Sequence, residues 1–211
     1  MGRPRGSRNE GYEDRRLELT GRVIPRLLQP DGARVSMREL AAAADVSVPT
    51  LRHYFGNRYG LLAAAMVQMG QLGTEHLRRT ALEQVDQPLE ASLLWWVREF
   101  KTGWDRGVGQ LVTMGLVTGA QNAEVGPAYV NEILEPTLQA VEARLAAHLE
   151  RGELKREVHL RHGALVLVCP ILLGLIHQGP LGGSDCRPLD LEPFLIEHVK
   201  TFVAGWGLPG A

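Results

Sequence analysis

Residues 36–62 read SMRELAAAADVSVPTLRHYFGNRYGLL, and the way this stretch punctuates itself decides the fold. Ser36 followed three residues later by Glu39 is a capping box, in which hydroxyl and carboxylate satisfy exposed backbone donors and start a helix. Met37, Leu40, Ala41 and Ala44 recur at i, i+3, i+4 and i+7, giving one apolar face small enough for close helix approach. Asp45 tolerates the left-handed backbone of a sharp turn better than most non-glycine residues, and Val46 is the natural apolar plug between two crossing helices. Ser47 caps a second helix, in whose first turn Pro49 costs little because the amides there have no helical partner. Leu51 and Phe55, four apart, face inward, which leaves Thr50, His53 and Tyr54 for the outer face. Two short helices joined by a three-residue turn make a helix-turn-helix, whose second helix enters the major groove of DNA. A purely structural helical hairpin is the competing reading of the spacing.

The residues themselves resemble the DNA-binding segment of the tetracycline-repressor (TetR) family of bacterial regulators. The likeness rests on Ser36, on Ala44, Val46 and Ser47 of the turn, and on Thr50, Leu51, Tyr54, Phe55, Arg58 and Leu61. Three departures stand out: Asp45 in place of a turn glycine, Val48 and Pro49 in place of Lys-Gly, and Arg52 where tyrosine is common. Losing a basic residue at 48 while gaining one at 52 redistributes the phosphate contacts, so no base preference carries over. The resemblance implies an all-α homodimer with a three-helix DNA-binding domain and a larger helical domain that binds an effector and dimerises through its last two helices.

Charge agrees with that polarity. The net charge of −1 hides an asymmetry, since residues 1–60 hold eleven arginines against seven acids while the remainder holds twelve basic and seventeen acidic residues. The basic end is the one with the helix-turn-helix, as a phosphate-binding surface requires. At 211 residues and 45% apolar composition, the chain has enough material for one large or two modest cores. Two cysteines, Cys169 and Cys186, are too few for a disulfide framework, and the N-terminus lacks the apolar core of a signal peptide. A cytoplasmic protein with no membrane association is expected. The apolar run 164–176 is too short to span a bilayer and reads as a buried helix containing an inert core thiol at Cys169.

Outside the central stretch the chain reads as helices broken by glycine and proline. Residues 1–11, MGRPRGSRNEG, form a flexible basic arm in which Arg3 and Arg5 resemble minor-groove hooks; a solvated tail is the alternative. Residues 12–28 suit a helix packed through Leu17, Thr20, Val23 or Ile24, Leu27 and Leu28, bent or shortened by Pro25. Residues 59–80 read as a connecting helix with Leu61, Leu62, Ala65, Met66, Met69 and Leu72 on one side, weakened at Gly70 and Gly73. Further helices are expected near 88–104, 107–122, 127–151, 153–178 and 189–205. Of these, the second carries Leu111, Met114, Leu116 and Val117, and Pro136 interrupts the third. A DNA-binding domain over 12–60 and an effector-binding and dimerisation domain over 61–211 follow.

The candidate DNA-binding residues are Arg3, Arg5, Ser36, Ser47, Val48, Pro49, Thr50, Arg52, His53, Tyr54 and Arg58. Thr50, His53 and Tyr54 would face bases and phosphate, while Ser36, Arg52 and Arg58 would serve phosphate. Trp95, Phe100, Trp104, Met114 and His177 are the candidates for a ligand cavity, because glycine-loosened, aromatic-rich helices suit an apolar pocket with few polar groups. The partners are therefore an operator duplex, a second copy of the chain and a small, largely apolar effector that releases the repressor. Nothing implies a cofactor or catalysis: His159 and His162 with Glu157 lack a second cluster to complete a zinc site, and no phosphate loop or nucleophile elbow appears. A DNA-binding regulator without effector, or a helical enzyme with a vestigial DNA-binding head, are the alternatives.

Overall fold

The computed structural model describes residues 5–208, with side chains from Gly11 onward. Every regular element among them is helical. In order they are α1 (Arg5–Leu27), α2 (Met37–Ala43), α3 (Val48–Phe55), α4 (Arg58–Ala81), α5 (Leu89–Gly103), α6 (Gly109–Gly119), α7 (Val125–Tyr129), α8 (Glu135–Glu150), α9 (Leu160–Gln178), α10 (Gly183–Cys186) and α11 (Leu191–Trp206). A 3-10 turn, Gly32–Arg34, precedes α2, and π-helical turns at Trp104–Val108 and Val130–Leu134 join α5 to α6 and α7 to α8. The all-α class with an N-terminal helix-turn-helix and a larger helical C-terminal domain is thus the observed one. The chain condenses into two units: residues up to Leu72 with Gln110–Ile133, and Gly73–Gly109 with residues from Leu134 on. The unit holding the helix-turn-helix therefore reaches past residue 60, taking in most of α4 and all of α7.

In the first unit α1 packs on α2 and α2 on α3, around Leu19, Val23 and Leu27 of α1, Leu40 and Ala41 of α2, and Leu51 and Phe55 of α3. The helix starts at Arg5 rather than Tyr12, and Pro25 sits in its last turn, two residues before it ends. Leu17 is not a core residue; it is 52% exposed, and Leu19 takes the buried place. The reason is a cleft of ≈ 270 Å³ between α1 and α4, which Leu17 and Val67 border instead of filling. Leu72, expected on the inner face of α4, is likewise exposed, at 68%; Leu116 and Val117 on α6 are exposed too, and Leu111, Val112 and Met114 are the buried set there. Gly70 lies so close to the backbone of Glu132 that a Cβ would come within 2.5 Å of its carbonyl oxygen, so close packing accounts for that glycine.

The second unit buries Leu93, Trp96 and Val97 of α5 against Leu138, Val141 and Leu145 of α8, Leu167, Val168 and Ile171 of α9, and Leu195, Val199 and Phe202 of α11. Two long helices of the sequence reading are shorter here. Residues 127–151 are not one helix, because Pro136 has no N–H for the carbonyl four residues back and the wide turn Val130–Leu134 absorbs the missing bond before α8 starts. Residues 153–159 stay outside α9; Leu154 makes an antiparallel bridge with Gly207 that pins the end of α11. α9 is long and apolar enough to cross a membrane by composition, with a mean hydropathy of 1.7. It is not buried all round: Leu167, Val168 and Ile171 face the core, while Leu165, Val166, Cys169 and Leu173 are exposed. Cys169 is therefore a surface thiol rather than a core one, because the apolar run wraps the whole helix and only one side meets α8 and α11.

Candidate nucleic-acid interface

The helix-turn-helix is built as its caps dictate. Ser36 accepts the Glu39 amide at 3.3 Å, and the Glu39 carboxylate accepts the Ser36 amide at 2.9 Å and its hydroxyl at 2.7 Å. Those bonds, with Arg26 beyond them, hold the Glu39 carboxyl below the usual glutamate range. Asp45 takes the left-handed conformation at φ 54°, and the Val46 amide donates back to Ala41 at 3.0 Å, closing the turn. Ser47 accepts the Thr50 amide at 3.2 Å and its hydroxyl shares a 2.8 Å bond with Thr50 Oγ1. Leu51 and Phe55 point inward, Arg52, His53 and Pro49 are exposed, and Val48, Thr50 and Tyr54 are half-buried. Gly56 ends the helix at φ 71°, and the Asn57 side chain accepts the Tyr59 and Gly60 amides to begin α4.

A brace from α1 fixes the outer face, and it lay outside the sequence reading. The Tyr12 ring stacks on Tyr54 at 4.8 Å and meets His53 edge-on at 5.9 Å, while its hydroxyl donates to the backbone carbonyls of His53 and Tyr54, each at 3.4 Å. Only the aromatic type of Tyr12 was visible beforehand, since its partner lies more than forty residues away.

Two expected phosphate contacts are otherwise employed. Arg58 turns inward, its Nε donating to the Val35 carbonyl at 3.0 Å and its Nη2 to that of Ala33 at 2.7 Å, with Met114 Sδ beside it at 4.0 Å. It is a clamp between α4 and the segment before α2, because unpaired carbonyls there need a donor more than solvent needs the charge. The Ser36 amide and hydroxyl are both spent on Glu39. Arg3 lies outside the described residues, and of Arg5 only the backbone, at the start of α1, is described.

Residues 26–65 match the model of the family described as bacterial regulatory proteins, tetR family. Residues 26–65 are thus a TetR-family DNA-reading segment. No curated protein matches the chain. Among solved structures, NemR of Escherichia coli in its reduced form superposes with a TM-score of 0.67 at 16% identity, covering 90% of this chain and 97% of that one. A TetR-family regulator from Streptomyces coelicolor gives 0.62 at 24% identity over 91% and 80% of the two chains. FadR of Bacillus subtilis, solved with stearoyl-CoA, gives 0.60 at 16% over 89% and 97%. At such identities the likeness is one of fold, and it extends the TetR-family architecture over nearly the whole chain.

The effector candidates fall in different places. Trp95, Phe100 and Trp104 are half-buried against the core of the second unit: Trp95 covers the Arg144 guanidinium at 5.2 Å, Phe100 stacks on Trp96 at 5.4 Å, and Trp104 lies directly on Gly109. His177 packs on Gly183 at the end of α9 with its Nδ1 2.7 Å from the Gln178 side-chain Nε2. Met114 is buried in the other unit, beside Arg58.

Beneath Trp95 runs a buried polar chain that the periodicity concealed. Arg144, with no exposed surface, donates to Ser92 Oγ at 2.5 Å and to the Thr80 and Glu83 carbonyls at 2.9 and 2.6 Å, which closes the C-terminal end of α4. Burial brings its pKa down to about 10. His148 Nε2 lies 2.9 Å from the same Ser92 Oγ, and its Nδ1 2.8 Å from Glu153 Oε2. This Ser–His–Glu order has the spacing of a hydrolytic triad, but Ser92 and His148 have no exposed surface for a substrate to reach. Burial lowers the His148 pKa below 6.5, outweighing the opposing pull of Glu153, with Arg151 and Arg144 adding to the decrease. Because the unfolded chain then takes up the proton first, stability is full above the ordinary histidine value and falls as pH drops through it toward the depressed one. The urea midpoint is therefore expected to fall between pH 7.5 and 5.5, and less so in His148→Gln; equal falls in both proteins would remove His148 from the account.

Proposed function

We propose that this protein is an operator-binding transcriptional regulator that works as a homodimer and changes its DNA affinity when a small molecule occupies its body. Residues 12–60 act as the DNA-binding domain and 61–211 as the effector-binding and dimerisation domain. The observation that carries the reading is α3 itself: capped at both ends, held by Leu51 and Phe55, and turning Arg52 and His53 to solvent beside the braced Tyr54. Thr50, His53 and Tyr54 meet bases and nearby phosphates, with Ser47, Val48 and Pro49 at the groove-entering end and Arg52 on the backbone.

Dimerisation uses α9 and α11, and the exposed apolar stripe Leu165, Val166, Cys169 and Leu173 supports it, since a stripe of that kind is more stable against a second copy than in water. The effector is largely apolar and lies against Trp95, Phe100 and Trp104, with His177 a polar contact. That FadR was solved with stearoyl-CoA supports an apolar ligand class for a body of this architecture. Release of DNA requires that the ligand prefer one arrangement of the two heads over another. The protein acts in the cytoplasm, as its operator does, and repression is its mode.

The test is a gel shift against duplexes taken from the DNA flanking the protein's own coding region. His53→Ala, which removes an exposed side chain and no core contact, is expected to weaken specific binding by roughly tenfold or more, or about 1–3 kcal/mol. Unchanged affinity in that variant would take α3 out of the groove, and a wild-type protein that shifts no duplex at low salt would end the reading.

A further inference from the structure

The head carries more arginine than it presents. Eight arginines fall within residues 11–60, and five of them are committed inside the protein. Arg15 pairs with Glu18 at 2.5 Å, Arg22 with Glu18 at 2.6 Å and with the Ala44 carbonyl, Arg26 with Asp31 and Glu39, and Arg58 with the carbonyls of Ala33 and Val35. Arg16 lies over the Phe55 ring at 5.4 Å. Arg34, Arg38 and Arg52 are exposed and make no side-chain hydrogen bond or ion pair with the described residues.

We infer that Arg34 and Arg38 form the surface that grips the DNA phosphate backbone beside α3, in the place expected of Ser36 and Arg58. The inference rests on the operator-binding reading above and adds to it which cations supply the affinity. Three features make these two arginines more than solvated side chains. The backbone around Arg34 is held: Arg58 grips the carbonyls on either side of it, Arg26 holds Asp31 through two bonds at 2.6 and 2.7 Å, and Val35 is buried as the anchor between Arg34 and Ser36. The acids nearby in the chain are turned elsewhere, Asp31 onto Arg26 and Glu39 onto the Ser36 amide and hydroxyl with Arg26 beyond, and those bonds hold both carboxyls below their usual ranges. Neither carboxylate bonds to Arg34 or Arg38, so two guanidiniums with no ion-pair partner among the described residues flank the start of α2. A duplex phosphate, a fixed anion repeated along a backbone, is the occupant that such uncompensated guanidiniums on a preset segment select.

Counterion release tests this directly, because each phosphate neutralised adds about 0.9 to the slope of log affinity against log salt. The full-length protein is titrated with a 30-base-pair duplex from the region flanking its coding sequence and with a mixed-sequence duplex of equal length, over a range of potassium chloride concentrations. Arg34→Gln/Arg38→Gln is expected to lower the slope by about 1.8 per protomer on both duplexes alike, leaving the ratio of the two affinities unchanged. Arg34→Lys/Arg38→Lys should keep the slope, and Arg15→Gln, whose guanidinium is held on Glu18, should not alter it. An unchanged slope in the double glutamine variant, with the wild type binding normally and circular dichroism intact, overturns the inference and leaves the operator reading standing. A wild type that binds neither duplex at low salt overturns both.

Discussion

Replacing Arg144 with alanine is expected to lower the unfolding free energy by about 3–5 kcal/mol, with a fall in Tm on the order of 10 °C. The size follows from what the guanidinium satisfies. The Thr80 and Glu83 carbonyls at the end of α4 and the Ser92 hydroxyl all take hydrogen bonds from it, and Trp95 rests on its face. Alanine leaves the Thr80 and Glu83 carbonyls without their guanidinium donor, leaves the buried Ser92 hydroxyl with His148 alone, and opens a hole where a fully buried side chain stood. Tryptophan fluorescence will report it, since Trp95, Trp96, Trp104 and Trp206 all lie in the same unit as Arg144. Arg144→Met, which fills the space but donates nothing, should recover only part of the loss. A variant as stable as wild type would mean that the buried cation costs as much as its hydrogen bonds return.

Leu51→Ala is the corresponding change in the DNA-reading unit, expected to cost about 2–5 kcal/mol. Leu51 has no exposed surface and, with Phe55, seats α3 on the rest of that unit. Loss of the anchor should abolish duplex binding although no residue of the outer face has changed, while the tryptophan emission of the folded protein keeps its wild-type maximum. Measured by circular dichroism in urea and by gel shift, the variant separates seating of α3 from recognition by α3: intact duplex binding with the expected loss of stability would show that the outer face does not depend on Leu51.

Much of the reading surface could be written down before any coordinates, because its signals are local. Ser36 with Glu39, Asp45, and Ser47 ahead of Pro49 state their roles within four residues, and each is found in the expected conformation. The judgements that the structure changed depended on a partner distant in the chain. Arg58 looked like a phosphate contact until the carbonyls of Ala33 and Val35 came to meet it. Leu17, Leu72 and Cys169 sit at acceptable helical positions, yet periodicity cannot say which side of an apolar helix finds a neighbour. Arg144 and His148 appear in the sequence as polar residues of an ordinary amphipathic helix, and nothing near them announces Ser92 or Glu153.

The amino-acid order alone determined that this chain is helical, that it carries a helix-turn-helix near its basic end, and which side of α3 looks outward. Capping, turn conformation and helical periodicity act over fewer than eight residues, so they survive translation into a list of letters. Only the tertiary structure decided which arginines of the head still carry an unspent charge, that Tyr12 braces the reading helix, and that a buried Arg144 closes the end of α4. The contacts of Arg58, Tyr12 and Arg144 reach across more than twenty residues, where the acceptor or ring that claims a side chain is set by packing and not by the residues beside it.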